Sequence, residues 1–213
     1  MVHTDSMNVK TRKAEQSDAT RKALLEAGRA LFAERGYRHT STQEVVTRAG
    51  MTRGALYHHF RDKADLFAAV FEEVSEQCIR RVSKAAMEAG PPGSWENFAA
   101  GCQEFLDACL DPSIRQIVLL DAPSALGWDR WRELDCKYGF AVVKKALEAS
   151  MGAGLIDRQP VDPLARMLVG GLNEAALAMA RADNPEGARA ETGKVIDRLL
   201  SGLRARDPKM DDR

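Results

Sequence analysis

The chain has 213 residues, room for one large domain or two small ones, and its 45% apolar fraction suffices for a core without metal or disulfide support. Lys plus Arg and Asp plus Glu each total 31, and that balance argues against a general nucleic-acid coat protein, which needs surplus positive charge on phosphate. The charge is split along the chain: residues 1–65 carry 12 basic and 8 acidic side chains (net +4) and all four histidines, whereas residues 66–213 carry 19 and 23 (net −4).

Ala (32) and Leu (20) far outnumber Val (13) and Ile (5), which favours an all-α chain. Residues 1–16 are polar and aperiodic and are expected to be a disordered leader. From Ser17 to Arg35, Leu24, Ala27, Leu31 and Phe32 recur at helical spacing, and Gly36 stands where a left-handed cap belongs. Ser41-Thr42-Gln43-Glu44 is a capping box that opens a second helix ending at Ala49-Gly50. Thr52 caps a third short helix, Arg53 to Phe60, and a long one follows from Lys63 to about Ala89.

Gly90-Pro91-Pro92-Gly93 is a loop. Ser94 to Leu110 is expected as a helix, and Asp111-Pro112 opens a short apolar one through Leu120. Residues 121–127 contain Pro123 and read as a kinked connection, followed by a helix from Trp128 to Met151. Asp162-Pro163 repeats the cap-plus-Pro signal for a helix to about Ala182. Pro185 begins the last one, to Leu203, ahead of a charged tail, 206–213, expected to fray. The count is nine helices and no strand. No apolar run is long enough to span a bilayer and no secretory pattern is present, so a cytoplasmic protein without membrane association is expected.

Two short helices joined at Gly50 form a helix-turn-helix arrangement in which Leu56 and Phe60 make the buried stripe of the second helix. Thr52, Arg53, Tyr57 and His58 fall on the opposite side, and Gly54 carries no side chain to hold the backbone off a groove floor. His59 is placed against Phe60 rather than on DNA. Thr52 and Ser41 are accounted for by capping alone, and Lys63 with Asp65 also fits an ordinary solvated helix start.

The run from Thr40 to Phe60, with Lys63 and Leu66 behind it, closely resembles the TetR family of bacterial transcriptional regulators over about residues 17–66. It departs from the common pattern at Val46, where Ala is commoner, and at Met51-Thr52, where Val-Ser is commoner. The resemblance implies a two-domain architecture: a helix-turn-helix DNA-binding domain over 17–65 and an effector-binding and dimerisation domain over 66–205. It implies a homodimeric repressor that binds a palindromic operator and is released by a small-molecule effector, with no cofactor. Thr42, Thr52, Arg53, Gly54, Tyr57, His58 and Lys63 would meet the operator, Arg53 at a base edge or phosphate and Thr42 and Lys63 at phosphates.

In the body, Leu164, Leu168, Leu172 and Met179 form a helical stripe beside the small Gly171 and Ala175. Ile196, Leu199, Leu200 and Leu203 mark the last helix. The resemblance places these two helices in an intersubunit four-helix bundle; a purely intramolecular core explains about half of the positions equally well. Effector-pocket candidates are Trp95, Phe98, Phe105, Leu119, Trp128, Trp131, Phe140 and Asn173, with Arg115 and Asp121 as polar anchors, although Asp121 also fits a helix cap. Neither a metal-ligand cluster, a GxSxG nor a P-loop is present, which leaves an enzyme without support. The alternative is a DNA-binding adaptor controlled by a protein partner or by oxidation of Cys78, Cys102, Cys109 or Cys136.

Overall fold

The computed structural model describes the backbone of residues 4–205 and the side chains of residues 14–205. Among these the chain forms nine continuous helices and no strand, with one isolated bridge between Ile156 and Arg204. Residues 1–3 and the tail 206–213, for which fraying was expected, lie outside the described residues.

Helix α1 runs Thr4–Arg35, so residues 4–16 are helical rather than irregular. Adding residues to an already nucleated helix costs little, and an apolar stripe is needed only where the helix is packed. Its inward residues Leu24, Ala27, Leu31 and Phe32 are buried, and Gly36 ends it with φ +78°, donating to the Phe32 carbonyl at 2.9 Å.

Local chemistry then sets α2 (Thr42–Ala49) and α3 (Arg53–His59). The Glu44 N–H donates to the Ser41 hydroxyl at 3.2 Å and the Ser41 N–H donates back to the Glu44 carboxylate at 2.8 Å, completing the capping box. The Ser41 N–H and the Ser41 hydroxyl, each donating to the Glu44 carboxylate at 2.8 Å, with the Arg35 guanidinium beyond them, hold the Glu44 carboxyl below its ordinary range. Gly50 takes the left-handed conformation, φ +65°, that turns the chain, and the Thr52 hydroxyl accepts from the Ala55 N–H at 3.2 Å.

Asp62 caps α4 (Lys63–Ala89) and Ser94 caps α5 (Trp95–Ala108). The expected boundary after residue 65 therefore falls inside the first turn of α4. Asp111 accepts from the Ser113 N–H at 2.8 Å and starts α6, residues 112–126, while α7 spans 128–152.

Both carry a wide π-helical stretch, Ile114–Asp121 in α6 and Cys136–Phe140 in α7. The expected kinked connection over 121–127 is thereby corrected: α6 stays helical through Pro123 to Leu126 and breaks only at Gly127. Proline fits here because the hydrogen-bond register is already widened in the turn before it, so its missing N–H and its ring are accommodated. Helix α8 (Val161–Arg181) starts after Pro160. Asp162 is not its cap, and its carboxylate instead meets the Lys144 ammonium at 2.7 Å. Helix α9 (Pro185–Ser201) is capped by Asn184.

The buried side chains form two clusters. The first begins among α1, α2 and α3 at Leu24, Val45 and Leu56 and continues without interruption through Phe67 and Val74 of α4 to Ile117 of α6 and Leu134 of α7. The second joins α5, α7, α8 and α9 around Leu106, Leu147, Leu172 and Leu200. Each fully buried side chain of this size contributes roughly 1.5–3 kcal/mol relative to exposure.

Candidate functional site

Helix α3 is anchored by one side and free on the other. Leu56 and Phe60 are buried against α1, with the Arg21 guanidinium over the Phe60 ring at 5.5 Å. Thr52, Arg53, Gly54, Tyr57 and His58 are all solvent-exposed, Tyr57 to 48% despite its size. The half-buried Thr42 at the start of α2 stands beside them: its hydroxyl and the Arg53 guanidinium flank the Tyr57 phenol and pull its pKa below the ordinary value. Six of the seven expected operator-facing residues are thus accessible, along α3 from its Thr52 cap to His58 and at the start of α2, with Thr42, Arg53 and Tyr57 side by side. That surface offers hydroxyls, a guanidinium and a glycine-smoothed backbone, the donors that phosphate and base edges accept.

Lys63 is the exception. Its ammonium donates to the carbonyls of Tyr37 and Thr40 at 2.9 and 3.0 Å and lies over the Tyr37 ring at 4.1 Å. Two of its three N–H groups are spent fixing the turn between α1 and α2, which leaves one for a phosphate. His59 packs as expected, its ring 6.3 Å from that of Phe60. Burial, with the neighbouring charges of His58 and Arg21, lowers its pKa.

The expected effector residues disperse. Phe98 is buried in the second core and Phe105 packs between the two cores; Leu119 is buried in the first, and Trp128 is 67% exposed against Trp131. Asp121 accepts from the Tyr37 N–H at 2.7 Å. Arg115 borders an open hollow of about 360 Å³ beside the α8–α9 turn.

Trp131, Phe140 and Asn173 do come together, in a cleft of about 260 Å³ between α7 and α8. The other polar groups of the cleft are Arg132, Asp135, Arg166 and Glu174. The Asp135 side chain is 13% exposed, and burial pushes its pKa up against the opposing pull of Asn173 and Arg132. Sequence reasoning missed Asp135, although it follows Trp131 by one helical turn and so shares its face.

The last two helices also differ from expectation. Leu172, Met179, Ile196 and Leu200 are buried within the subunit, and Leu164, Leu168, Ala175 and Leu203 pack half-buried against the same core. Gly171 and Leu199 remain outside, Leu199 61% exposed. The outward face instead carries Met167 (76% exposed), Gly170, Ala178 and Val195. Spacing alone leaves the Leu164–Met179 stripe open to either side, because both faces of α8 are apolar or small; the larger side chains belong to the inner one.

Cys78, Cys102 and Cys109 are buried free thiols. Burial raises the first two to about 11 and about 12 and the third further, so none is a ready thiolate. Cys136 is half-buried and lines the cleft. No helix among the described residues is long and apolar enough to cross a membrane.

Residues 24–70 match the description "Bacterial regulatory proteins, tetR family", and residues 95–203 match "Tetracyclin repressor-like, C-terminal domain". The transposon Tn10 TetC protein of Escherichia coli is 26% identical over 132 residues, 62% of this chain and 66% of its own length. The transcriptional regulator TtgR of Pseudomonas putida is 32% identical over 108 residues, 50% of each chain. The chain therefore spans about half to two thirds of the length of these curated relatives. A crystal structure of a TetR-family transcriptional regulator from Pectobacterium atrosepticum superposes with a TM-score of 0.77 at 32% identity, covering 90% of this chain and 97% of that one. With both parts matched and a solved relative alike over nearly its whole length, the chain belongs to the tetR family of bacterial regulatory proteins, a family of regulators and not of enzymes.

Proposed function

We propose that the protein is a transcriptional repressor that binds a palindromic operator as a homodimer and leaves it when a small molecule occupies the cleft between α7 and α8. The observation that carries the reading is the two-sidedness of α3: Leu56 and Phe60 are locked inside, while Thr52, Arg53, Gly54, Tyr57 and His58 stand clear with Thr42 beside them. A single such helix reads only a half-site, so two copies related by a two-fold axis place their recognition helices about 34–36 Å apart, one turn of DNA. The exposed Met167, Gly171, Val195 and Leu199 supply an apolar face for that pairing. Release follows if the small molecule binds one arrangement of the dimer better than the other, and only to the extent of that difference.

The test is selection of bound sequences from a random duplex library by the full chain, followed by titration of the selected site. Enrichment of an inverted repeat, with one dimer per site, supports the reading. Enrichment of no sequence, or of an isolated half-site bound by a monomer, removes it.

A further inference from the structure

We infer that the cleft between α7 and α8 takes a small amine, a protonated nitrogen carried on a compact apolar or aromatic body. The inference rests on the cleft being the effector site and adds the chemical class of its occupant. The walls are apolar: Trp131 and Phe140 from α7 face Val169 and Leu177 from α8. The volume of about 260 Å³ lies just below the roughly 300–1,000 Å³ of drug-sized pockets, which limits the occupant to about one ring and a short chain.

The charges inside the cleft are arranged unequally. Asp135 is sheltered, and among the described residues its carboxylate accepts two hydrogen bonds, from Asn173 Nδ2 and Arg132 Nη1, both at 3.4 Å. A carboxylate has about four acceptor positions and prefers charged donors at about 2.7–2.9 Å, so Asp135 is a sheltered acid short of close donors. Glu174 adds a second carboxylate to the lining. Both guanidiniums already have partners: Arg132 is the long partner of Asp135, and the Arg166 guanidinium lies over the Phe140 ring at 4.7 Å. An anion would have to displace one of those contacts and sit beside two carboxylates. A cationic N–H supplies what Asp135 lacks and adds its attraction to the face of Trp131. Burial raises the pKa of Asp135 against the pull of Asn173 and Arg132, and a cation beside it would oppose that rise.

The experiment uses three probes with one apolar body and different heads: phenylbutylamine, phenylbutanol and phenylbutyrate. Binding to the full chain is measured by calorimetry. Phenylbutylamine is expected to bind about tenfold or more tighter than phenylbutanol, with phenylbutyrate weakest. Asp135→Asn is expected to erase the amine's advantage while circular dichroism reports an intact fold, and the amine is expected to slow alkylation of Cys136 by iodoacetamide. Tightest binding of phenylbutyrate, an amine preference that survives Asp135→Asn, or no binding of any of the three overturns the inference. Operator release separates it from the reading beneath it. Amine binding without release removes the effector role and keeps the ligand class, whereas release by phenylbutyrate keeps the role and removes the class.

Discussion

The carboxylate of Asp121, in the wide turn of α6, accepts a 2.7 Å hydrogen bond from the backbone N–H of Tyr37, 84 residues earlier in the chain. Tyr37 is the second residue past α1, where a helix end leaves backbone groups to be satisfied from elsewhere. Gly36 packs against the same carboxylate: a Cβ there would sit 3.3 Å from Asp121 Oδ2 and 3.2 Å from Gln116 Nε2. The bond ties the body directly to the segment that leads into α2 and α3. Asp121→Ala is expected to destabilise the fold by about 1.5–3 kcal/mol, the usual worth of a hydrogen bond to a charged group, and Asp121→Asn by less because an acceptor remains. Urea denaturation of the two variants checks both values, and equal stability of all three proteins would deny the bond any structural weight.

Arg53→Ala is expected to weaken operator binding by about 1–3 kcal/mol, the range of a lost base contact, without changing the melting temperature, since Arg53 is exposed and packs on nothing in the core. Anisotropy titration against the selected operator measures the loss. A loss equal on specific and random duplexes would assign Arg53 to phosphate instead.

Leu172 and Met167 lie five residues apart on α8 and are expected to fail differently when changed. Leu172→Ala opens a hole in the second core and costs about 2–5 kcal/mol of stability. Met167→Glu touches no core and is expected to shift sedimentation from dimer to monomer. If Met167→Glu sediments like the parent protein, the pairing face lies elsewhere.

The pH response of stability should carry the mark of His59. Its folded pKa lies below the free value of about 6.5, so the unfolded chain binds the proton more readily. His59 is therefore neutral and harmless to stability above about 6.5, and stability falls as pH drops through that value toward the lower folded pKa. The effect is modest because the ring is partly solvated. Melting temperatures from pH 8 to pH 5 are expected to fall less steeply in His59→Gln; parallel profiles would contradict the assignment.

Thiol chemistry gives the last test. In the native protein one thiol, Cys136, is expected to react readily with a chromogenic disulfide, and Cys78, Cys102 and Cys109 only on unfolding. Two or more fast thiols in the folded chain would revive control by oxidation.

What the sequence makes legible here is mostly local. Ser41 with Glu44, Gly50 and Thr52 announce α2 and α3 because each cap acts within three or four residues of itself, and the exposed face of α3 follows from those boundaries. The partner of Asp121 is not legible, because it lies 84 residues away and no periodicity points to it. The faces of α8 mislead for a different reason: small and apolar residues ring the helix, so spacing cannot say which stripe is inside. The widened turns at Ile114–Asp121 and Cys136–Phe140 add a shift of register that a 3.6-residue count does not follow, and the cleft residue Asp135 lies next to one of them.

With the core unbroken from Leu24 to Leu134, the unit of α1, α2 and α3 is expected to have little stability of its own. Severed after residue 65, it would lose Phe67, Val74 and Ile117 as neighbours and is expected to unravel. A protease would find no stable fragment to leave behind. Conversely, whatever steadies the body lends the same protection to α3, in proportion to the logarithm of its concentration over its dissociation constant. A molecule in the cleft would therefore be felt at the DNA surface as heat resistance even before any helix has moved.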